Sequence, residues 1–473
     1  MPSQRVAALL AASSALFAAA AGLSHVTAPA RGDAAAAVRL GTPVLSPRRA
    51  PEALATVVGE VRLTSALDAV LDDPSIGGSS TCLTVEQGDA LVYARNPDVS
   101  LLPASTMKVL TGMAALRRMG NDFRYVTEVR TATPPSADGV VNGPLFLVGS
   151  GDPLLSTEGY AASFKNQPQV FTSLDALANA VVAAGVKQVP AGVVGDESRY
   201  DTARYVASWK PVYLTDNDVG PVSALTVNDG FTQFKPLPRR HAPSPALHAA
   251  ATLTLLLRDR GVAVGNPGEG VAPDGPVAIA DVKSPPLPEV VGEMLRESDN
   301  MTAELIVKEL GKRFGAGGSW PAGLEVIKAT VADAGLPVDH YHAVDGSGLD
   351  VADRLSCTLL MEALDLAGPD GAVSAGFPVA GRSGTLVDRF KGNPAEGKLR
   401  AKTGSLNFVA GLAGFVESTG AGTLEFAMLA NGLPDRLASG RSLQERVGAA
   451  LSRYPEAPPI EELAPEPVVR ADR

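Results

Sequence analysis

Cysteine is scarce in this chain: among 473 residues only Cys82 and Cys357 occur. Without a C-x-x-C pair, neither a disulfide-built scaffold nor a cysteine zinc site fits the sequence. Whether the two pair with each other is left open, because geometry rather than spacing decides it. Histidine is nearly as rare, with five scattered copies. His340 and His342 have no third ligand in pattern and read as surface residues, so no metal or cofactor is expected. Basic charge is in deficit, 41 Lys plus Arg against 51 Asp plus Glu, for a net charge of -10. That balance argues against nucleic acid, whose phosphates require a basic footprint. Beyond the N-terminus no segment is long and apolar enough to cross a membrane. No fixed-period repeat is visible, and no Gly-x-Ser-x-Gly elbow occurs, since Gly149-Ser150-Gly151 and Gly346-Ser347-Gly348 lack its spacing.

What is present describes a globular chain. Hydrophobic residues make up 45% and charged residues 19%, enough for a sizeable core, and the length suggests roughly three domains. Residues 1–5 hold one basic side chain, residues 6–23 are almost unbroken Ala, Leu, Phe and Ser, and Ala28-Pro29-Ala30 follows. This is the layout of a secretory signal over 1–30, with an uncleaved anchor as the alternative; either exports the protein. Residues 81–86 and 91–94 read as a hairpin turning at 87–89. Pro103 opens a helix with Val109, Leu110, Met113, Leu116 and Met119 at three- and four-residue spacing. From 123 to 282 short strands alternate with Gly, Pro, Asp and Ser. Helices are predicted over 287–310, 353–367 and 441–454, and a strand meander over 399–405, 408–416 and 424–429. The Pro/Glu-rich tail, 455–473, is predicted to be disordered.

Three short motifs carry chemistry. In Ser105-Thr106-Met107-Lys108 the i and i+3 residues share a helix face. A lysine there whose charge is disfavoured can take the serine's proton, and the helix start favours a developing oxyanion. Position 105 is the only serine of the chain with Lys at that offset. In Ser298-Asp299-Asn300 the hydroxyl can relay a proton and the amide can orient a peptide; taken alone, a polar helix connection or cap explains it equally well. In Lys402-Thr403-Gly404-Ser405, on a predicted strand, Lys402 offers a cation to a terminal carboxylate, Thr403 and Ser405 add hydroxyls, and Gly404 lets a substrate backbone come close. An ordinary edge strand carrying a lysine is the plainer reading. Two look-alikes, Ser405-Leu406-Asn407 and Arg382-Ser383-Gly384, show how little any single pattern carries.

The order Ser-x-x-Lys, Ser-x-Asn, Lys-Thr-Gly is the signature of penicillin-recognising serine enzymes. The sequence resembles the class C low-molecular-mass penicillin-binding proteins, the penicillin-binding protein 4 type of D-alanyl-D-alanine carboxypeptidase/endopeptidase. The likeness extends to LVGSGDPLL (147–155), GDESRYD (195–201), GPVSALTVNDG (220–230), SPPLPEVVGEMLRESDN (284–300), DGSGLD (345–350) and GKLRAKTGSLNFVAGLAGF (397–415). Ser405 stands where the family often has Thr, which keeps the hydroxyl. The resemblance implies an α/β (α+β) transpeptidase-like fold, an antiparallel sheet flanked by helices. The catalytic domain, 57–122 and 283–454, would be interrupted by inserted β-rich domains over 123–282, far more chain than a compact β-lactamase carries.

The resemblance also implies roles. Ser105 would be the nucleophile, Lys108 its base and Ser298 a proton relay. Asn300 would orient the peptide, and Lys402, Thr403, Gly404 and Ser405 would receive the terminal carboxylate. The implied partners are peptidoglycan stem peptides ending in D-Ala-D-Ala and β-lactam antibiotics, met outside the cytoplasm. Two alternatives use the same residues differently: a β-lactamase or esterase, and a non-catalytic cell-wall-binding scaffold.

Overall fold

The computed structural model describes residues 46–465 except 236–238 and 276; the expected signal at 1–30 lies outside them. The chain forms two compact units, residues 55–458 and residues 1–54 with 459–473. Within the second of these, a 3-10 turn (Pro47–Arg49) and a helical turn (Ile460–Leu463) are joined by Arg48, which donates to the carbonyls of Glu462 at 3.0 Å and Ala464 at 3.3 Å.

Strands β1 (Ser80–Gln87) and β2 (Ala90–Arg95) form the predicted hairpin, turning at Gly88 with φ 53°. Helix α1 (Pro51–Leu71) precedes them, and α2 (Lys108–Met119) follows a 3-10 turn, Ala104–Met107. The remainder of the sheet comes from the C-terminal third: β8 (Leu399–Leu406), β9 (Val409–Ser418) and β10 (Gly422–Asn431). All pairings are antiparallel, in the order β8-β9-β10-β1-β2.

Alternation along these strands sends successive side chains to opposite faces. Leu83, Val85, Leu412, Val416, Phe426 and Met428 pack with Leu63 and Leu67 of α1 and with Leu443, Val447 and Leu451 of α9 (Ala438–Arg453). Cys82, Ala413, Phe415, Ala427 and Leu429 face the other way, toward α2, α5 (Leu287–Glu297), α6 (Asn300–Phe314) and α8 (Cys357–Ala367). The result is a helix–sheet–helix sandwich. Cys82 and Cys357 are bonded, Cα to Cα 6.0 Å, so the open question of their pairing is answered by a bridge from β1 to the first residue of α8.

The segment between the two halves has its own core. Strands β3 (Val126–Thr131), β4 (Leu145–Val148), β5 (Val193–Asp196), β6 (Gly268–Glu269) and β7 (Val277–Lys283) form a mixed sheet in the order β6-β5-β4-β3-β7. Helices α3 (Leu174–Ala183) and α4 (Pro245–Asp259) bury Leu177, Val181, Ala249 and Leu253 against it. The region is therefore mixed α/β, with two helices the strand-rich reading left out. Its first and last strands pair, Val126 opposite Lys283, and Ser284 binds the Tyr125 backbone at both ends. The two ends of this segment therefore lie side by side.

Two further expectations differ from the structure. The helix read over 287–310 is two helices, broken at Ser298 and Asp299. The tail is ordered over part of its length: Pro455 packs so closely on Gly59 that a Cβ there would lie 2.5 Å from the proline ring. Residues 466–473 lie outside the described residues. Among those described, no helix is long and apolar enough to cross a membrane.

Candidate active site

Ser105 sits in the 3-10 turn just before α2, not inside the helix as its motif suggested. Ala104 takes φ 48°, a left-handed conformation that a residue with a Cβ adopts only under constraint. The constraint is visible in the packing. A Cβ on Gly348 would lie 1.9 Å from the Ala104 carbonyl oxygen, and one on Gly404 would lie 2.6 Å from that of Pro103. Gly404 thus makes room for the turn that carries Ser105.

Lys108 is fully buried. Its Nζ lies 3.1 Å from Ser105 Oγ, 2.6 Å from Asn300 Oδ1 and 2.8 Å from the Ser347 carbonyl oxygen. Burial pushes its ammonium down to about 8, against the opposing pull of Glu304 and then Asp345. In the neutral amine, two N–H bonds to Asn300 and Ser347 leave the lone pair for the serine hydroxyl.

The polar residues behind Lys108 explain why that arrangement holds. Glu304, also fully buried, accepts from Trp320 Nε1 at 2.7 Å and from the backbone of Gly346 and Ser347. Burial first, and the Asp345 charge second, raise its carboxyl above the usual range. Asp345 accepts from Trp209 Nε1 at 2.7 Å and from the backbone of Gly348 and Asp350. The loop 345–350 is therefore a backbone scaffold for Lys108. Sequence reasoning placed it near the cleft only as a turn, and the DGSGLD run was the signal that could have found it.

Ser298-Asp299-Asn300 is both a cap and part of the site. Ser298 closes α5 in the left-handed region, φ 60° and ψ 36°. The Asp299 carboxylate accepts from the Met301 and Thr302 amides and so starts α6. Asn300 then projects from the first position of α6, its Nδ2 donating to the Asp218 carbonyl at 2.7 Å. Both ends of its amide are engaged within the protein, by Lys108 and the Asp218 carbonyl.

Lys402 departs most from expectation. Its Nζ is fully buried and donates to Ser298 Oγ at 2.8 Å and to the Thr403 carbonyl at 2.8 Å. Burial first, and the charge of Lys108 second, hold it well below the usual lysine range. Its amine is turned to Ser298 and the Thr403 carbonyl, not to the opening the motif reading assigned to a carboxylate. That opening, a cleft of about 310 Å³, is lined by Ser105, Ser298, Thr385, Arg389, Thr403, Ser405 and Arg441. The Thr403 hydroxyl is 2.9 Å from that of Thr385. Arg389 and Arg441 were not singled out in the sequence; they lie in segments with no motif, and only the tertiary structure brings them to the cleft.

Residues 199–203 are fixed to α6, the helix that begins with Asn300. Arg199 makes two bonds to the buried Glu309 at 2.8 and 2.7 Å, and Tyr200 adds a third at 2.8 Å. Lys308 reaches Asp201 at 2.5 Å and the Ala203 carbonyl at 2.7 Å. His340 and His342 are exposed and take no part in the cleft.

The model of the D-Ala-D-Ala carboxypeptidase 3 (S13) family matches residues 63–241 and 236–450. This chain belongs to that family. A D-alanyl-D-alanine carboxypeptidase of Actinomadura sp. (strain R39) is 30% identical, over 90% of this chain and 91% of the relative. Penicillin binding protein 4 from Haemophilus influenzae shares the fold, with a TM-score of 0.68 at 20% identity, covering 82% of this chain and 99% of the other. The structure of that protein complexed with a β-lactam superposes with a TM-score of 0.61, at the same identity and coverage. The S13 family match and the antiparallel sheet flanked by helices agree with the resemblance drawn from the motifs.

Proposed function

We propose that this carboxypeptidase is a serine enzyme that removes the terminal D-Ala from peptidoglycan stem peptides and also cuts D-centred cross-links between stems. The observation that carries the reading is the 3.1 Å approach of the buried Lys108 amine to Ser105 Oγ, at the wall of a cleft shared with Ser298, Thr403 and Ser405.

Ser105 Oγ attacks the carbonyl of the penultimate D-Ala as its proton passes to neutral Lys108. The backbone N–H groups of Ser105 and Ser405 receive the oxyanion. Lys108 returns the proton through Ser298 to the departing amine, the C–N bond breaks, and D-Ala leaves an ester on Ser105. Water then cleaves the ester and restores the hydroxyl. Lys402 tunes Ser298, Asn300 holds Lys108 in place, and Thr403 and Ser405 bind the substrate carboxylate.

β-Lactams present a similar carboxylate and acylate the same serine. None of the described residues lining the cleft with Ser105 is a carboxylate, which fits a penicilloyl ester that water cleaves slowly. That favours a peptidase over a β-lactamase. We place the enzyme outside the cytoplasm, exported through residues 1–30, with 57–122 and 283–454 as the catalytic domain and 123–282 as the insertion. The test is incubation with a fluorescent penicillin and mapping of the labelled peptide. Label on Ser105, lost in Ser105→Ala together with D-Ala release, is the expected result. Stoichiometric labelling of Ser105→Ala would overturn the assignment.

A further inference from the structure

We infer that Arg441 is the residue that recognises the free carboxylate at the substrate's C-terminus. This rests on the carboxypeptidase reading above and adds the source of charge for its specificity. A carboxylate entering the cleft meets hydroxyls from Ser105, Ser298, Thr403 and Ser405, and two guanidinium groups. Hydroxyls alone do not balance a carboxylate's charge, and an ionic partner roughly doubles the strength of such hydrogen bonds. Lys402 is enclosed and turned toward Ser298, as described.

Of the two arginines, Arg389 is already occupied. Its guanidinium donates to Glu445 Oε1 at 2.9 Å, Gln444 Oε1 at 2.9 Å and the Arg441 carbonyl at 3.1 Å. Arg441 is exposed, and among the described residues its side chain makes no hydrogen bond or ion pair. Arg441 stands in the first turn of α9, whose start is capped by the Asp435 carboxylate through the Ser439 amide at 3.1 Å, so its guanidinium is not needed there as a helix partner. A positive charge in the wall of a hydroxyl-lined cleft, beside a second one and with its donors unpartnered among the described residues, suits an anionic ligand. Arg389 is then a positioning residue, holding the Arg441 backbone from below.

The experiment compares two peptides on the full-length enzyme, one ending in D-Ala-D-Ala with a free carboxylate and the other C-amidated. Arg441→Gln is expected to lower kcat/KM for the free acid by about tenfold or more, mostly through KM, while changing the amide by less than about twofold. Arg441→Lys should restore part of the loss, and added salt should weaken the wild-type preference but not that of Arg441→Gln. Equal losses on both peptides, or no loss on either, would overturn the inference while leaving the carboxypeptidase reading intact. A wild-type enzyme inactive on both would overturn that reading and the inference with it. Because Arg441 is exposed, the variant's thermal midpoint should match the wild type, which separates a recognition defect from misfolding.

Discussion

Asn300 Oδ1 lies 2.6 Å from Lys108 Nζ although 192 residues separate them in the chain. A neutral amide at that position supports the amine without favouring its charge. A carboxylate there would bind the ammonium and hold its proton. Asn300→Asp is therefore expected to move the rising limb of the pH–rate profile well above 8 and to lower kcat/KM at pH 7 by at least tenfold. An unchanged limb would show that Asn300 does not govern Lys108.

The pH profile of the wild type follows from the same lysine. With its ammonium pushed down to about 8, only about a tenth is the free base at pH 7. Penicillin acylation should rise with pH and level off once Lys108 is neutral. The sign is fixed because the base form is the deprotonated one. Lys108→Arg retains charge and lacks an accessible base, so acylation should fall by about 10²–10⁴ at every pH. Stopped-flow acylation from pH 6 to 10 reads both effects.

Gly404→Ala tests the packing of the nucleophile turn. The new Cβ would lie 2.6 Å from the Pro103 carbonyl oxygen and 3.2 Å from Thr106 Cγ2. Backbone must shift, at a cost of about 1–3 kcal/mol as for other overpacked cores. Acylation should slow more than tenfold while the melting midpoint drops only a few degrees, since the disturbance is local to Ser105. Calorimetry beside the acylation rate separates the two effects.

The bridge between Cys82 and Cys357 closes 275 residues of chain. Cys82→Ser with Cys357→Ser should lose about 2–4 kcal/mol of stability. Catalytic constants at 25 °C should stay within about twofold, because neither cysteine lines the cleft. Thermal unfolding with and without reductant makes the comparison.

Much of this site was legible because its chemistry is local. Ser105 and Lys108 are neighbours by helical spacing, the hairpin follows from two alternating runs around Gly88, and the meander from three more. Where the reading missed, long-range packing was responsible. The stretch 287–310 is amphipathic throughout, so nothing periodic marks the break at Ser298; the break exists because Asp299 caps a new helix. Helices α3 and α4 went unread because Gly, Pro and Ser punctuation dominates the segment around them. Lys402 has the right charge for a carboxylate, but Ser298, brought in from another helix, engages its amine. Arg389 and Arg441 carry no motif, and Ser347 contributes only a carbonyl.

The amino-acid sequence alone determined which groups are available: one serine with a lysine three residues on, a serine two residues before an asparagine, a cationic strand, and strands whose alternation demands a two-faced sheet. Tertiary structure decided what those groups do. The basicity of Lys108 and Lys402 depends on burial by elements scattered over three hundred residues, and hydrogen-bond partners depend on ångström-scale packing. Charge and donor capacity belong to a residue type, whereas desolvation and distance belong to its surroundings.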